Sequence, residues 1–169
     1  MSTVWLFLEL LNLVVFTLFI VPRRQPENAK ELIPASATTM LRIMWLLPIL
    51  AFGFSLFIAH PVMPLDWVCL ALAVTGTILV IKGKRDLGSY HTWAGYYLPG
   101  APALKRGIFR WIAHPMYTGI ILVIISCSLV YLTRLPGYLS AIALACCFYI
   151  VSFLLIVAGR ESKHLARQT

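Results

Sequence analysis

The residues best suited to chemistry lie in one short segment in the second half of this 169-residue chain. The segment, residues 106–119, contains Arg110, His114, Pro115, Tyr117 and Gly119. Histidine titrates near neutral pH and arginine binds carboxylates through a planar fork of donors, so the segment suits acid–base chemistry or anion binding. Pro115 restricts the backbone of His114 and fits the first turn of a helix, which predicts His114 at a helix N-terminus.

A second polar segment follows the last apolar run, and its only acid is Glu161. Arg160, Lys163, His164 and Arg167 have the spacing i, i+3, i+4, i+7, so they form one basic stripe if this segment is helical. Such a stripe suits anionic lipid headgroups or a nucleotide. It is equally typical of a solvated basic face.

The composition indicates what kind of domain holds these two polar segments. Hydrophobic residues make up 60% of the chain and charged residues only 12%, about half the charged share of a typical soluble domain. With so few charges, most of the surface must face lipid. We therefore expect one membrane domain, residues 1–169, and no nucleic-acid partner, although the net charge is +8.

Five apolar runs are long enough, at about 1.5 Å per residue, to cross a hydrocarbon core of roughly 30 Å. They are Val4–Val21, Leu41–Ala59, Leu65–Ile81, Met116–Thr133 and Gly137–Ala158. Their length excludes the alternating strands of about ten residues that build a membrane β-barrel. The sequence thus predicts an all-α polytopic membrane protein with about five transmembrane helices. Spans one to three fall within residues 1–81, and the connector, spans four and five and the tail within 82–169.

The distribution of Lys and Arg predicts the orientation of these spans. Of the 14 such residues, all but Arg134 lie in the segments 22–42, 82–115 and 159–169, on one side of a five-span protein. The positive-inside rule then predicts an N-terminus outside and a C-terminus in the cytoplasm. In a bacterium the membrane would be the inner one.

Other features of the spans have plainer interpretations. The four cysteines lie in apolar runs without CxxC spacing, so we expect neither a disulfide framework nor a metal site. Glu9 lies in the first run, which we expect to be a span rather than a cleaved signal peptide. An acid within a membrane is a functional hypothesis by default, with packing or contact with the outer interface as the simpler interpretation. Pro48 should bend the second span unless the carbonyl group that it leaves free is satisfied elsewhere.

The long cytoplasmic connector, residues 82–115, is too irregular for a span and too aromatic for a simple linker. Ordered loops of this length are usually functional. We consider Tyr90, His91 and Trp93 as residues that contact a substrate. An aromatic belt at the level of the lipid headgroups is the alternative for the aromatic residues.

The short connection Arg134-Leu135-Pro136 makes spans four and five an antiparallel pair, so their cytoplasmic ends should be neighbours. The start of span four offers free N–H groups and partial positive charge, whereas the end of span five offers partial negative charge and Glu161. A ligand bound between them should carry both an anionic and a cationic part. S-adenosylmethionine meets this description, as do many other zwitterions.

The segment 106–119, Arg-Gly-Ile-Phe-Arg-Trp-Ile-Ala-His-Pro-Met-Tyr-Thr-Gly, resembles the G-x-Y-R-x-x-R-H-P-x-Y-x-G motif of the isoprenylcysteine carboxyl methyltransferase family. Phospholipid N-methyltransferases share this motif. Glu161 followed by Leu165 is similar to the later E-E-x-x-L element of the family, and Asp86-Leu87-Gly88-Ser89-Tyr90 to its upstream L-G element. The resemblance covers roughly residues 80–165.

The resemblance implies a membrane methyltransferase that uses S-adenosylmethionine and takes its acceptor from the bilayer. It implies that His114, Pro115, Tyr117 and Gly119 line the cofactor site and that Glu161 contacts the cationic part of the cofactor. Arg110 would lie near the acceptor or the carboxylate, which makes Arg110 and His114 the predicted catalytic residues.

The methyl acceptor is expected to be a small or lipophilic carboxylate, amine or thiol at the cytoplasmic interface. A carboxylate needs no base, whereas for an amine or thiol His91 or His114 could take the proton. The lipid bilayer is the other expected partner.

The sequence departs from the family pattern at three places. Ala113 stands where the motif has Arg before His-Pro, Ser162 stands where it has a second Glu, and the sequence ends at Thr169, where many members continue with an aromatic-rich segment. These departures favour an alternative, a non-catalytic binding or accessory protein on the same scaffold. A small transporter is a weaker alternative, because the sequence has no internal repeat.

Overall fold

The computed structural model describes residues 2–20, 28–99 and 106–166, with side chains as far as Lys163. Its five helices are α1 Thr3–Ile20, α2 Ala35–Ser55, α3 Pro64–Leu87, α4 Pro115–Leu132 and α5 Gly137–Ala166. All five are long and apolar enough to cross a membrane. The predicted all-α membrane protein with five spans is therefore confirmed.

Two hydrogen bonds identify the end of the bundle at which α1, α3 and α5 finish. Lys84 near the end of α3 donates from Nζ to the carbonyl oxygen of Phe19 in α1, at 2.6 Å. Arg160 in α5 donates to the carbonyl oxygen of Leu32, just before α2, at 3.0 Å. We call this the basic end of the bundle and the other the opposite end. That the basic end faces the cytoplasm stays a prediction.

Three helices extend further than the apolar runs predict. Helix α2 begins at Ala35 rather than Leu41, α3 ends at Leu87 rather than Ile81, and α5 ends at Ala166 rather than Ala158. An apolar run includes only residues that lipid tolerates, whereas helical hydrogen bonding continues where side chains reach headgroups and water. Helix α2 remains helical through Pro48. Val21, the predicted end of the first span, lies outside the described residues.

A two-stranded ribbon joins the chain before α2 to the connector between α3 and α4. Strand β1, Lys30–Glu31, pairs antiparallel with β2, Tyr96–Tyr97. The N–H group of Leu32 continues the ribbon by donating to the carbonyl oxygen of Gly95 at 2.8 Å. Gly95 has a φ of +92°, which glycine adopts far more readily than other residues.

Helices α3 and α4 make the most extensive helix–helix contact among the described residues. A Cβ added at Gly76 would lie 2.5 Å from the carbonyl oxygen of Gly119, and one added at Gly119 would meet the carbonyl oxygen of Gly76. Two turns further along α3, Gly83 leaves room for Pro115 and Met116. Small residues permit such close approach in lipid, where packing rather than the hydrophobic effect holds helices together.

The replacement Gly119→Ala should force α3 and α4 apart, because the new methyl group would overlap the Gly76 carbonyl oxygen. We expect a loss of about 2 kcal/mol in the free energy of unfolding, measured by chemical unfolding in detergent or lipid. Gly53→Ala in α2 is the matched control, since no atom lies within 4 Å of its added Cβ. It should be neutral or slightly stabilising. Equal losses in both variants would contradict the role of this contact.

A buried ion pair joins the helices at the opposite end. Arg134, between α4 and α5, donates from Nη2 to Oδ1 of Asp66 at 2.9 Å, and both side chains are almost completely buried. The second Asp66 oxygen accepts from the N–H of Met63 at 2.7 Å and so caps α3. Trp5 of α1 donates to the Asp66 carbonyl oxygen, and its ring lies 4.4 Å from the Arg134 guanidinium. Glu9 is buried nearby, within electrostatic range of both charges.

Replacing Asp66 by Asn should strongly destabilise the protein, because it leaves the buried guanidinium of Arg134 without its charged partner. Loss of one member of a buried pair costs about 3 kcal/mol or more. Asp86→Asn is a matched control on the same helix, where the carboxylate accepts from the backbone N–H of Ile108. Unfolding measured for both variants should show the larger loss at Asp66, and a smaller or equal loss there would refute this account.

Candidate functional site

His114 immediately precedes α4, as the sequence predicts, and Pro115 occupies the first helical position. The carbonyl oxygen of His114 accepts from both the N–H and the hydroxyl of Thr118, each at 3.0 Å. Pro115 is buried where Gly83 of α3 leaves room for it. The backbone of His114 is therefore fixed at the basic end of the bundle.

The segment before His114 is held by Asp86 near the end of α3. Its carboxylate accepts from the N–H of Ile108 at 2.9 Å, at the start of a short 3₁₀-helix, Gly107–Arg110. Gly107 has a φ of +58°, and a Cβ there would meet the Asp86 carboxylate. Both conditions require glycine. Asp86 was predicted only as part of an upstream motif, and the structure shows that it positions the chain leading to His114.

Four side chains from the start of α4 and the last turns of α5 meet at this end. Tyr117 donates its hydroxyl to Oε1 of Glu161 at 2.7 Å. Nδ1 of His114 lies 3.5 Å from Oε2 of Glu161, and Nε2 lies 2.9 Å from the hydroxyl oxygen of Ser162. The rings of His114 and Tyr117 stack with centroids 5.6 Å apart and planes 13° from parallel. We call these four residues the His114 cluster.

The His114 cluster is only partly shielded from water, since Ser162 is exposed. The side chains of His114 and Glu161 are 23% and 20% exposed, so a ligand can contact them without unfolding the bundle. Burial lowers the pKa of His114 below its ordinary value, so its imidazole is neutral at neutral pH. The prediction that the ends of spans four and five are neighbours is confirmed by these contacts.

The other residues predicted for the cofactor site lie apart from the four-residue contact. Gly119 and Pro115 are buried against α3, where they set the position of α4. Arg110 is exposed, and its guanidinium lies 5.7 Å from the ring of Trp111, which is itself 82% exposed. Among the described residues, no ion pair joins Arg110 to Glu161. A catalytic role of Arg110 stays a prediction.

The three residues predicted to contact a substrate lie in the connector, between α3 and strand β2 of the ribbon. Tyr90 is exposed, while His91 and Trp93 are half-buried. The ring of Trp93 lies 4.8 Å from the guanidinium of Arg42 in α2. Burial, reinforced by the positive charge of Lys84, lowers the pKa of His91 to about 4. These residues therefore lie at the basic end, on the side where the connector contacts α2.

The predicted basic stripe of the tail is only partly described. Arg160 bonds to the carbonyl oxygen of Leu32, and Lys163 is exposed. The side chain of His164 and the whole of Arg167 lie outside the described residues. The choice between a solvated face and a ligand-binding face therefore stays open. Ser162, which the sequence analysis treated only as a departure from a motif, is the member of the His114 cluster that was not predicted.

A family model described as Phospholipid methyltransferase matches residues 65–168. The matched region starts at the beginning of α3 and includes the whole His114 cluster, whereas α1 and α2 precede it. No curated protein and no solved structure matches the chain.

The low pKa of His91 can be tested by an NMR titration of the histidine side chains. Because the folded value of about 4 lies below the ordinary value of 6.5, the unfolded chain binds a proton between these pH values and the folded chain does not. Stability should therefore decline as the pH falls through that range. Lys84→Met should raise the pKa of His91, because it removes the neighbouring positive charge.

Lys82→Met is the matched control for this titration. It removes an exposed lysine from the same helix, and its charge is not among the causes of the shift at His91. The pKa of His91 should not change in this variant. An unshifted wild-type value, or equal effects of the two lysine variants, would contradict the burial of His91 beside Lys84.

Proposed function

Because the chain belongs to the phospholipid methyltransferase family, we propose that it is an S-adenosylmethionine-dependent methyltransferase that acts at the membrane interface. Family membership supports methyl transfer, and the five apolar helices support a membrane location. The observation that carries the proposal is the His114 cluster, in which a carboxyl group is held beside the N-terminus of α4 within the matched region.

The donor and acceptor groups of the cluster fit the charges of S-adenosylmethionine. This cofactor carries an ammonium, a sulfonium and a carboxylate. A bound cation would favour the ionised form of the Glu161 carboxyl group. The first N–H groups of α4 and its partial positive charge suit a carboxylate. We assign Glu161, Tyr117 and His114 to the cofactor, while Pro115 and Gly119 set the place of the helix that presents them.

When bound, S-adenosylmethionine supplies an electrophilic methyl group, so the protein has to contribute binding, orientation and exclusion of water. Tyr117 and His114 contact different oxygens of Glu161 and so restrict its carboxyl group to one orientation. A neutral His114 adds no positive charge that would repel a cation. Partial burial strengthens the attraction between Glu161 and a cationic ligand.

The family description favours the amine of a phospholipid headgroup as the methyl acceptor, with a carboxylate or a thiol as alternatives. An amine must lose a proton before it attacks. His91 is a weak base for this step, since burial lowers its pKa to about 4. Arg110, exposed beside Trp111, suits a headgroup phosphate. Tyr90 and Trp93 are assigned to the acceptor side.

The excess of Lys and Arg at the basic end supports a cytoplasmic location for the His114 cluster. Lipid acceptors would then enter from the cytoplasmic leaflet, which in a bacterium belongs to the inner membrane.

A non-catalytic binding protein is the second candidate, and Ala113 is the observation that favours it. This exposed residue directly before His114 carries no guanidinium at the position where the related motif has Arg. Without this guanidinium, the protein would bind the cofactor but would not transfer its methyl group.

Titration of the purified protein in lipid nanodiscs with S-adenosylmethionine tests the proposal. We expect binding by the wild type and a loss of about 10- to 100-fold in affinity in Glu161→Gln, since hydrogen bonds to charged groups contribute at this scale. Glu31→Gln, the same chemical change at an exposed residue of the basic end, should bind like the wild type.

Methyl transfer to a phosphatidylethanolamine in the same nanodiscs separates the two candidates. Product formation supports the enzyme, and binding without any methylated amine, carboxylate or thiol supports the binding protein. Failure of the wild type to bind the cofactor, or equal affinities of the two glutamate variants, would refute the proposed site.

A further inference from the structure

Ser162 stands next to Glu161 in the last turns of α5, and its hydroxyl oxygen lies 2.9 Å from Nε2 of His114. In the motif that the chain resembles, this position carries a second glutamate. Serine introduces instead a neutral group that can either donate or accept. The protonation of His114 therefore depends on which of these roles the hydroxyl takes.

The remaining contacts of His114 decide between the two roles. Nδ1 faces Oε2 of Glu161 at 3.5 Å. Burial raises the pKa of Glu161 to about 7, so at pH 8 its carboxylate is ionised and only accepts hydrogen bonds. Attraction between them requires the proton on Nδ1. A neutral imidazole has one N–H, so Nε2 is then an acceptor and the hydroxyl of Ser162 donates to it. Tyr117 donates to the other oxygen of Glu161, and each group has a partner.

The other two protonation states are disfavoured for different reasons. With its proton on Nε2, His114 would turn a lone pair towards the ionised Glu161. A doubly protonated ring could donate to both Glu161 and the hydroxyl of Ser162, but burial penalises its charge and lowers the pKa of His114. Around the ring, Tyr117 stacks as a neutral phenol, and the guanidinium of Arg110 lies over Trp111.

We propose that Ser162 is a positioning residue that holds His114 as the neutral tautomer protonated on Nδ1. His114 then orients Glu161 without neutralising it, and the negative charge stays available to a cationic ligand. An imidazolium at this place would cancel that charge. The identity of the ligand, S-adenosylmethionine, rests on the proposed function, whereas the tautomer is a property of the protein alone.

The tautomer can be observed by ¹⁵N NMR of histidine-labelled protein at pH 8, without any ligand, where His114→Gln identifies the signals. In the wild type, we expect a protonated-type signal for Nδ1 and an unprotonated-type signal for Nε2. Ser162→Thr keeps the hydroxyl and should preserve both. Ser162→Glu offers only an acceptor to Nε2, so both nitrogens should become protonated.

Lys163→Gln is the matched control for the change in charge. It lowers the charge by one unit, as Ser162→Glu does, at an exposed neighbour in the same turn, and it should leave the His114 signals close to those of the wild type. Protonated Nε2 in the wild type, altered signals in Ser162→Thr, or equal effects of Ser162→Glu and Lys163→Gln would each overturn the proposal.

Affinity for S-adenosylmethionine gives a second readout. We expect Ser162→Ala to bind about three- to tenfold more weakly, on the scale of one neutral hydrogen bond, and Ser162→Thr to bind like the wild type. An unchanged affinity in Ser162→Ala would overturn the link to ligand binding. A wild type that binds no cofactor yet shows the expected NMR signals would refute the proposed function and leave the tautomer assignment intact.

Discussion

The backbones of α3 and α4 touch where Gly76 and Gly119 face each other, and neither position has room for a side chain. Lipid provides little hydrophobic drive between helices, so contacts of this kind must fix how far one helix lies along another. One turn from Gly119, Pro115 fits against Gly83, and His114 follows directly. Packing within the apolar part of the bundle thus determines where the imidazole of His114 lies along the length of α5.

The two ends of the bundle use charge in different ways. At the opposite end, Asp66 and Arg134 are paired and almost completely buried, which joins α3 to the turn between α4 and α5. At the basic end, the carboxyl group of Glu161 meets neutral donors and remains partly exposed. A buried charge that is paired cannot lose its partner without a large cost, whereas a carboxyl group that meets only neutral donors can still bind a ligand.

The features that the surrounding lipid determines were predictable from the sequence. The features that depend on contacts between distant residues were not. Long apolar runs predict five spans because lipid leaves the backbone few alternatives. The short turn at Arg134 predicts that α4 and α5 meet, which brings His114 to Glu161. The pairing of α3 with α4 was missed, because nothing in the sequence shows that Gly76 faces Gly119. Likewise, the partner of Ser162 is 48 residues away, and strands of two residues show no periodic signal.

The ribbon between β1 and β2 links the part of the chain that matches the family to the part that does not. The match begins at residue 65, yet Lys30–Glu31 pairs with Tyr96–Tyr97, and Leu32 accepts a hydrogen bond from Arg160 beside Glu161. The first two helices therefore form part of the wall around the basic end. Because the guanidinium of Arg42 in α2 lies over the ring of Trp93, a change in α2 can reshape the side assigned to the acceptor while the residues assigned to the methyl donor remain as they are.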